Sequence, residues 1–121
     1  MLPPLPIRTM NLLSRNEELL LTTVWKLGDR AYSISIQDRM RELLGRRVTI
    51  GAVYVPLERM VRRGFLSTRE SEPTERRGGR RKRFYRLTMK GVAALSAVEH
   101  VTALAWKGIS LPESDVRSAT A

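Results

Sequence analysis

The chain has 121 residues, 42% of them apolar, and a formal net charge of +10 from 22 basic and 12 acidic side chains. That is enough apolar material for one core, so a disordered polycation is excluded, and no run approaches the ~18 apolar residues of a membrane span. Cysteine is absent, which removes disulfides and thiolate metal sites; the charge implies an anionic partner, nucleic acid ahead of an acidic membrane surface.

The positive charge is concentrated. Seven of the eleven residues from Arg76 to Arg86 are basic and none is acidic. Between Arg41 and Arg63 six basic residues stand against two acidic ones, and the rest of the chain is close to neutral. A surface built only for solubility mixes its signs, so two basic segments on a neutral body suggest a binding footprint.

Residues 1–13 read as an N-terminal arm. Pro3, Pro4 and Pro6 disfavour a helix and leave the segment extended or mobile. It lacks the apolar run of a secretory signal, so a cytoplasmic chain is expected. Ser14 and Glu17 form a capping box, and Leu20, Leu21, Val24, Trp25 and Leu27 follow at helical spacing, which predicts a first helix from Arg15 to Leu27 with Trp25 in the core. Gly28-Asp29-Arg30 is a turn. Ser33 is the expected cap of a second helix whose inner face is Ile36, Met40, Leu43 and Leu44, ending at Gly45. Thr49 is the expected cap of a third, which buries Ile50, Val53, Leu57, Met60 and Val61 and stops at Gly64.

The pattern then changes. Residues 65–70 lean towards a strand, Arg83 to Leu87 read as a second with Phe84 and Tyr85 on opposite faces, and Gly78-Gly79 lies between them as a hairpin tip. Thr88 caps a last helix running to about Ser110, apolar around more of its circumference than one small domain can cover. Self-association is the simplest cover, with Leu95, Val98, Val101, Leu104 and Ala105 as the dimer interface.

The expected class is therefore mainly α (α+β): a winged helix-turn-helix with a two-stranded β-wing and a long C-terminal dimerisation helix. Its parts are an arm (1–13), a winged-helix DNA-binding domain (14–87), the dimerisation helix (88–110) and a flexible tail (111–121). In such an architecture the third helix enters the major groove. With Val53, Leu57 and Met60 inward, Thr49, Gly51, Ala52, Val55, Pro56 and Arg59 face outward. Ala52 and Val55 suit thymine methyls, Gly51 permits close backbone approach, and Thr49 reaches a base or a phosphate. The set is poor in bidentate base readers, which shifts the expected weight to phosphates and groove shape. Gly78, Gly79, Arg80, Arg81, Lys82 and Arg83 form a wing suited to phosphates or a narrow minor groove.

Gly51-Ala52-Val53-Tyr54, Leu57-Glu58-Arg59-Met60 and Gly64 resemble the third helix of PadR-type transcriptional regulators. Pro73-Thr74, the run from Gly78 to Thr88, and Gly91 resemble that family's wing and its exit into the last helix, and the single C-terminal helix matches its short branch. Here Val55 follows Tyr54, where many members have proline, and proline comes at Pro56. The resemblance implies that Tyr54 hydrogen-bonds a phosphate. It also implies that a small planar aromatic effector can sit between the last helices, with Trp106 as the stacking residue; the plainer role for Trp106 is interface packing.

The expected function is a sequence-specific, DNA-binding transcriptional regulator. It is expected to be a dimeric repressor on a dyad operator, with double-stranded DNA and a second copy as partners and no cofactor. The alternative is a non-specific architectural DNA- or RNA-binding winged helix; a module for protein contacts alone fits the concentrated charge poorly. Catalysis is not expected: one histidine, His100, and no nucleophile or phosphate-loop motif are present.

Overall fold

The structure is a computed structural model and describes residues 12–71 and 82–113. Its elements are α1 (Arg15–Leu27), a 3-10 turn (Gly28–Arg30), α2 (Ser33–Leu44), α3 (Ile50–Arg62), β1 (Leu66–Glu70), β2 (Arg83–Leu87) and α4 (Met89–Trp106).

Caps decide where the helices start. At α1, Ser14 Oγ accepts from the Glu17 amide at 3.1 Å and Glu17 accepts from the Ser14 amide at 2.8 Å, the reciprocal pair expected. The same glutamate accepts from the Arg63 guanidinium at 2.8 Å, which ties the start of α1 to the end of α3. At α2 the cap differs from expectation. Ser33 is the first helical residue and Tyr32, extended at φ −131, precedes it. Ser35 Oγ lies 3.0 Å from the Tyr32 amide and 2.6 Å from the Arg30 carbonyl, so a serine inside the helix closes the turn before it. Thr49 and Thr88 cap α3 and α4 by accepting from the amides of Ala52 (3.1 Å) and Gly91 (3.0 Å).

The core is made where the three helices meet. Leu20, Leu21 and Val24 of α1, Ile36 and Met40 of α2, and Val53, Leu57 and Met60 of α3 are all buried. Leu66, Tyr85 and Leu87 close it from the hairpin, and Val98 closes it from α4. Leu13, assigned by sequence to the arm, is also buried here; residues 1–11 and the tail beyond 113 lie outside the described residues.

Four side chains sit otherwise than expected. Trp25 is 66% exposed, because Thr23 and Val24 fill the inward positions of that turn and Trp25 lies to the flank, towards α4. Leu43 and Ile50 are exposed, each at a helix end beyond the shared core. Pro56 is buried, one turn after Val53 on the same face. The chain continues as one helix through Pro56, although its missing N–H removes the bond to the Ala52 carbonyl.

The strands pair antiparallel from Leu66↔Leu87 to Glu70↔Arg83. Phe84 and Tyr85 face opposite ways as expected: Phe84 is half-buried against Tyr32, and Tyr85 is buried in the core. The sequence did not signal a third contribution to the sheet. Tyr32 bridges to Phe84, and the Tyr85 amide donates to the Ala31 carbonyl at 2.8 Å, so the α1–α2 connection flanks β2.

The chain then turns into α4 at close quarters. Thr88 Oγ1 donates to the Gly64 carbonyl at 2.5 Å, and a Cβ at Gly91 would collide with the Phe65 carbonyl oxygen. α4 ends at Trp106, short of Ser110, with Gly108 at φ 78 beyond it. Three helices, a β-hairpin and a final helix in this order make a winged helix. No helix among the described residues is long and apolar enough to cross a membrane.

Candidate nucleic-acid interface

The start of α3 is presented by a polar brace behind it. The buried Gln37 side chain of α2 donates to the Val48 carbonyl at 2.8 Å, fixing the turn that leads into Thr49. Thr49, Gly51, Ala52, Tyr54, Val55 and Arg59 are all exposed. Ile50 joins them, a residue assigned to the core by its apolar character alone. Pro56, expected on this surface, does not contribute to it.

Gly51 is informative. Its backbone is ordinary right-handed helix, and a Cβ built there meets nothing within 4 Å. The fold therefore makes no demand for glycine at this position. A glycine inside a helix costs roughly 0.5–1 kcal/mol relative to alanine, and no packing within the described chain offsets that at Gly51.

The hairpin sits beside this helix. Its tip, with Gly78, Gly79, Arg80 and Arg81, lies outside the described residues. Lys82 is exposed, its ammonium 4.6 Å from the centre of the Tyr32 ring. Arg69 stacks on Phe84 at 4.5 Å, and Tyr32 and Phe84 pack at 5.5 Å, so cations and rings cover the base of the wing. Arg86 faces Asp29 at 3.5 Å with both side chains largely in solvent, a pairing of little energetic weight.

Arg83 stands differently from its expected place among freely exposed phosphate-binding groups. Its Nε and one terminal nitrogen donate to the two oxygens of Glu58 on α3, at 2.8 and 3.0 Å. The Tyr85 hydroxyl donates to the same carboxylate at 2.6 Å. Burial pushes the Glu58 carboxyl up, but the Tyr85 hydroxyl and the Arg83 guanidinium outweigh it and hold it below the ordinary carboxylate value, with Arg62 adding to the effect. Burial, and then the neighbouring carboxylate, push the Tyr85 hydroxyl well above its ordinary value. Glu58 carries no functional signal of its own in the sequence. Its partners lie 25 and 27 residues away, and the one local hint is an acid inside a basic segment.

The last helix divides along its length. Val98, expected at a dimer interface, is 7% exposed and packs inside the protomer, and Leu95 is partly buried against the same core. Val101 is half-buried, whereas Leu104, Ala105 and Trp106 are exposed, Trp106 at 49%. The division follows from geometry: the first turns of α4 lie on the domain and the last extend past it. Between α1 and α4 runs a groove of about 530 Å³, with Trp25, Thr22, Val92, Leu95, Glu99 and Ala103 in its walls. The aromatic lining it is Trp25, and Trp106 stands apart from it.

A family model for the PadR-like family of transcriptional regulators matches residues 22–97. No curated protein matches the chain. Among solved structures, TA0346 from Thermoplasma acidophilum, assigned as a transcriptional regulator, is 26% identical with a TM-score of 0.62, over 85% of this chain and 93% of that one. H. salinarum RosR is 23% identical (TM-score 0.61; 89% and 88% covered) and a PadR family transcription regulator from Clostridium difficile 22% identical (TM-score 0.57; 89% and 100% covered). At that identity these two establish the fold alone. The matched segment runs from α1 through the capped α3 and the wing into α4, and with it the chain belongs to the PadR-like family of transcriptional regulators.

Proposed function

We propose that the chain is a dimeric, sequence-specific DNA-binding repressor. The start of α3 enters the major groove, and the wing follows the neighbouring phosphates or the minor groove. The observation that carries this reading is the exposed α3 surface of Ile50, Gly51, Ala52, Tyr54 and Val55, which lies beside the capping Thr49, is not used by the core and is open at Gly51. In this reading Ala52, Val55 and Ile50 meet thymine methyls, Thr49 and Tyr54 bind phosphates, and Arg59 and Lys82 add charge, together with Arg80 and Arg81 from the wing tip. Gly78 and Gly79 let that tip approach the DNA backbone.

The dimer is supported by apolar surface left without cover. Leu104, Ala105, Trp106 and Ile109 are exposed on and after the end of α4, and Trp25 stands exposed across the groove. A second copy covers them, and its geometry sets the spacing of the two recognition helices. A planar aromatic effector would act by changing that spacing. Trp106 is the proposed stacking residue, and the position of Trp25 makes it a second candidate. Fluorescence of Trp25→Phe and Trp106→Phe variants titrated with planar aromatic compounds separates the two, and quenching in neither would remove the effector.

The deciding experiment selects bound duplexes from a random DNA pool at physiological ionic strength. An enriched inverted repeat with half-sites about one helical turn apart supports the dimeric regulator. Bound DNA with no motif would favour a non-specific architectural role, a reading encouraged by the scarcity of bidentate base readers on α3. No retained duplex would overturn both.

A further inference from the structure

We infer that Glu58 is a positioning residue that locks the wing to the recognition helix, and that Arg83 serves this lock rather than a DNA phosphate. The inference rests on the DNA-binding reading but concerns a different part of the machinery.

Three observations support it. First, the carboxylate is fully engaged: Oε2 accepts from Arg83 Nε (2.8 Å) and the Tyr85 hydroxyl (2.6 Å), and Oε1 accepts from a terminal nitrogen of Arg83 (3.0 Å). A planar guanidinium and a carboxylate paired through two bonds fix orientation as well as distance, which a single bond does not. Secondly, Arg83 and Tyr85 are two apart on β2, so they share a face and meet the same acid. Arg83 is the first residue of β2, and Lys82 and the basic run precede it. The lock therefore sits where the wing leaves the domain, one turn along α3 from the exposed Tyr54 and Val55. Thirdly, the Glu58 bonds tie the outer end of the hairpin to α3, whereas the buried Leu66 and Leu87 anchor its inner end. A two-stranded ribbon alone is marginal in water, and the flanking Ala31 and Tyr32, which meet Tyr85, Phe84 and Lys82, belong to the α1–α2 connection and not to α3.

The consequence is specific. Recognition helix and wing touch DNA at different places, and the distance between them must fit one groove width. A rigid link between the two makes that distance a property of the protein, so that groove shape is read as a penalty on misfitting DNA. A wing hinged without the link keeps its charge but loses the fit.

This makes a prediction opposite in sign to that of charge alone. Glu58→Gln removes a negative charge beside a DNA-binding surface, and simple electrostatics then expects tighter binding. The lock expects affinity for the selected duplex to fall about tenfold, as for loss of charge-assisted hydrogen bonds. Arg83→Gln should weaken binding similarly while leaving the slope of log affinity against log salt unchanged, whereas an arginine on a phosphate would lower that slope by about one. The double variant should be no worse than the weaker single one, since both remove one interaction. Tyr85→Phe, which removes only the hydroxyl and preserves packing, should show a smaller loss in the same direction.

Amide hydrogen exchange of the DNA-free protein tests the lock without DNA. In Glu58→Gln, protection should fall at β1 and β2 and persist in α1 to α3. Tighter or unchanged binding by Glu58→Gln, a slope lowered by one in Arg83→Gln, or unchanged wing protection would each overturn the inference. If the wild-type chain bound no duplex the proposed function would fail, and the exchange result alone would still decide for or against the lock.

Discussion

The α3 helix and the wing lie side by side, yet they are held in different ways. α3 is fastened from beneath by Val53, Pro56, Leu57 and Met60, all buried, while Gly51, Ala52, Tyr54 and Val55 on its outer face are exposed. The wing also puts Leu66, Tyr85 and Leu87 into that core, but its outer end is basic, is underpinned by cation–ring contacts, and meets α3 through the Glu58 carboxylate. Apolar burial is strong and non-directional, so it makes a stable platform; a charge-assisted pair is weaker but directional, so it sets an angle. In this design apolar burial sets the stability of the platform and the charge-assisted pair sets the angle of the wing.

The largest effect expected on this contrast comes from its apolar side. Leu57→Ala leaves a hole at a fully buried position and should destabilise the domain by about 2–5 kcal/mol. A thermal melt measures it, and a loss below about 1 kcal/mol would show that α3 is not held mainly by its core face. Next comes the wing as a source of charge. Replacing Arg80, Arg81 and Lys82 with alanine should lower the salt slope of DNA binding by about 2–3 and leave the melting temperature nearly unchanged. An unaltered slope would remove the wing from the interface.

A smaller effect is expected at Gly51, with opposite signs in two assays. Gly51→Ala should stabilise the chain by about 0.5–1 kcal/mol, since the added methyl meets nothing, and yet weaken DNA binding. Stabilisation with full affinity would mean that no backbone approaches this position. The finest test is pH. Glu58 titrates below its ordinary value in the folded chain, so its contribution is present above that value and is lost as pH falls through the lowered one. The stability difference between wild type and Glu58→Gln should therefore shrink on acidification below about pH 4.5. A difference constant from about pH 7 to about pH 3 would show that the carboxylate is not held by its partners.

Local signals were legible in the amino-acid order. The Ser14–Glu17 box and the Thr49 and Thr88 caps each need only residues three apart, and each forms. The order of helices and the pairing of the Arg83–Leu87 strand were likewise readable, because hydrophobic spacing changes period where a helix gives way to a strand. The resemblance to PadR-type regulators rested on short-range motifs of the same kind.

Facing and partnership were less legible. An aromatic residue at helical spacing was expected in the core, but Trp25 points to the flank, because the space beneath α1 is already filled by Leu20, Leu21 and Val24. Val98 looked like an interface residue and is core, because the early turns of α4 rest on the domain. By itself the sequence determined where α1, α3 and α4 begin, which segments pair as strands and where the positive charge accumulates, because those follow from neighbours a few residues away. Only the tertiary structure decided that Arg83 belongs to Glu58 and that the α1–α2 connection joins the sheet. Those contacts join residues 25 to 54 positions apart, and nothing local fixes which of several basic or extended residues will meet them.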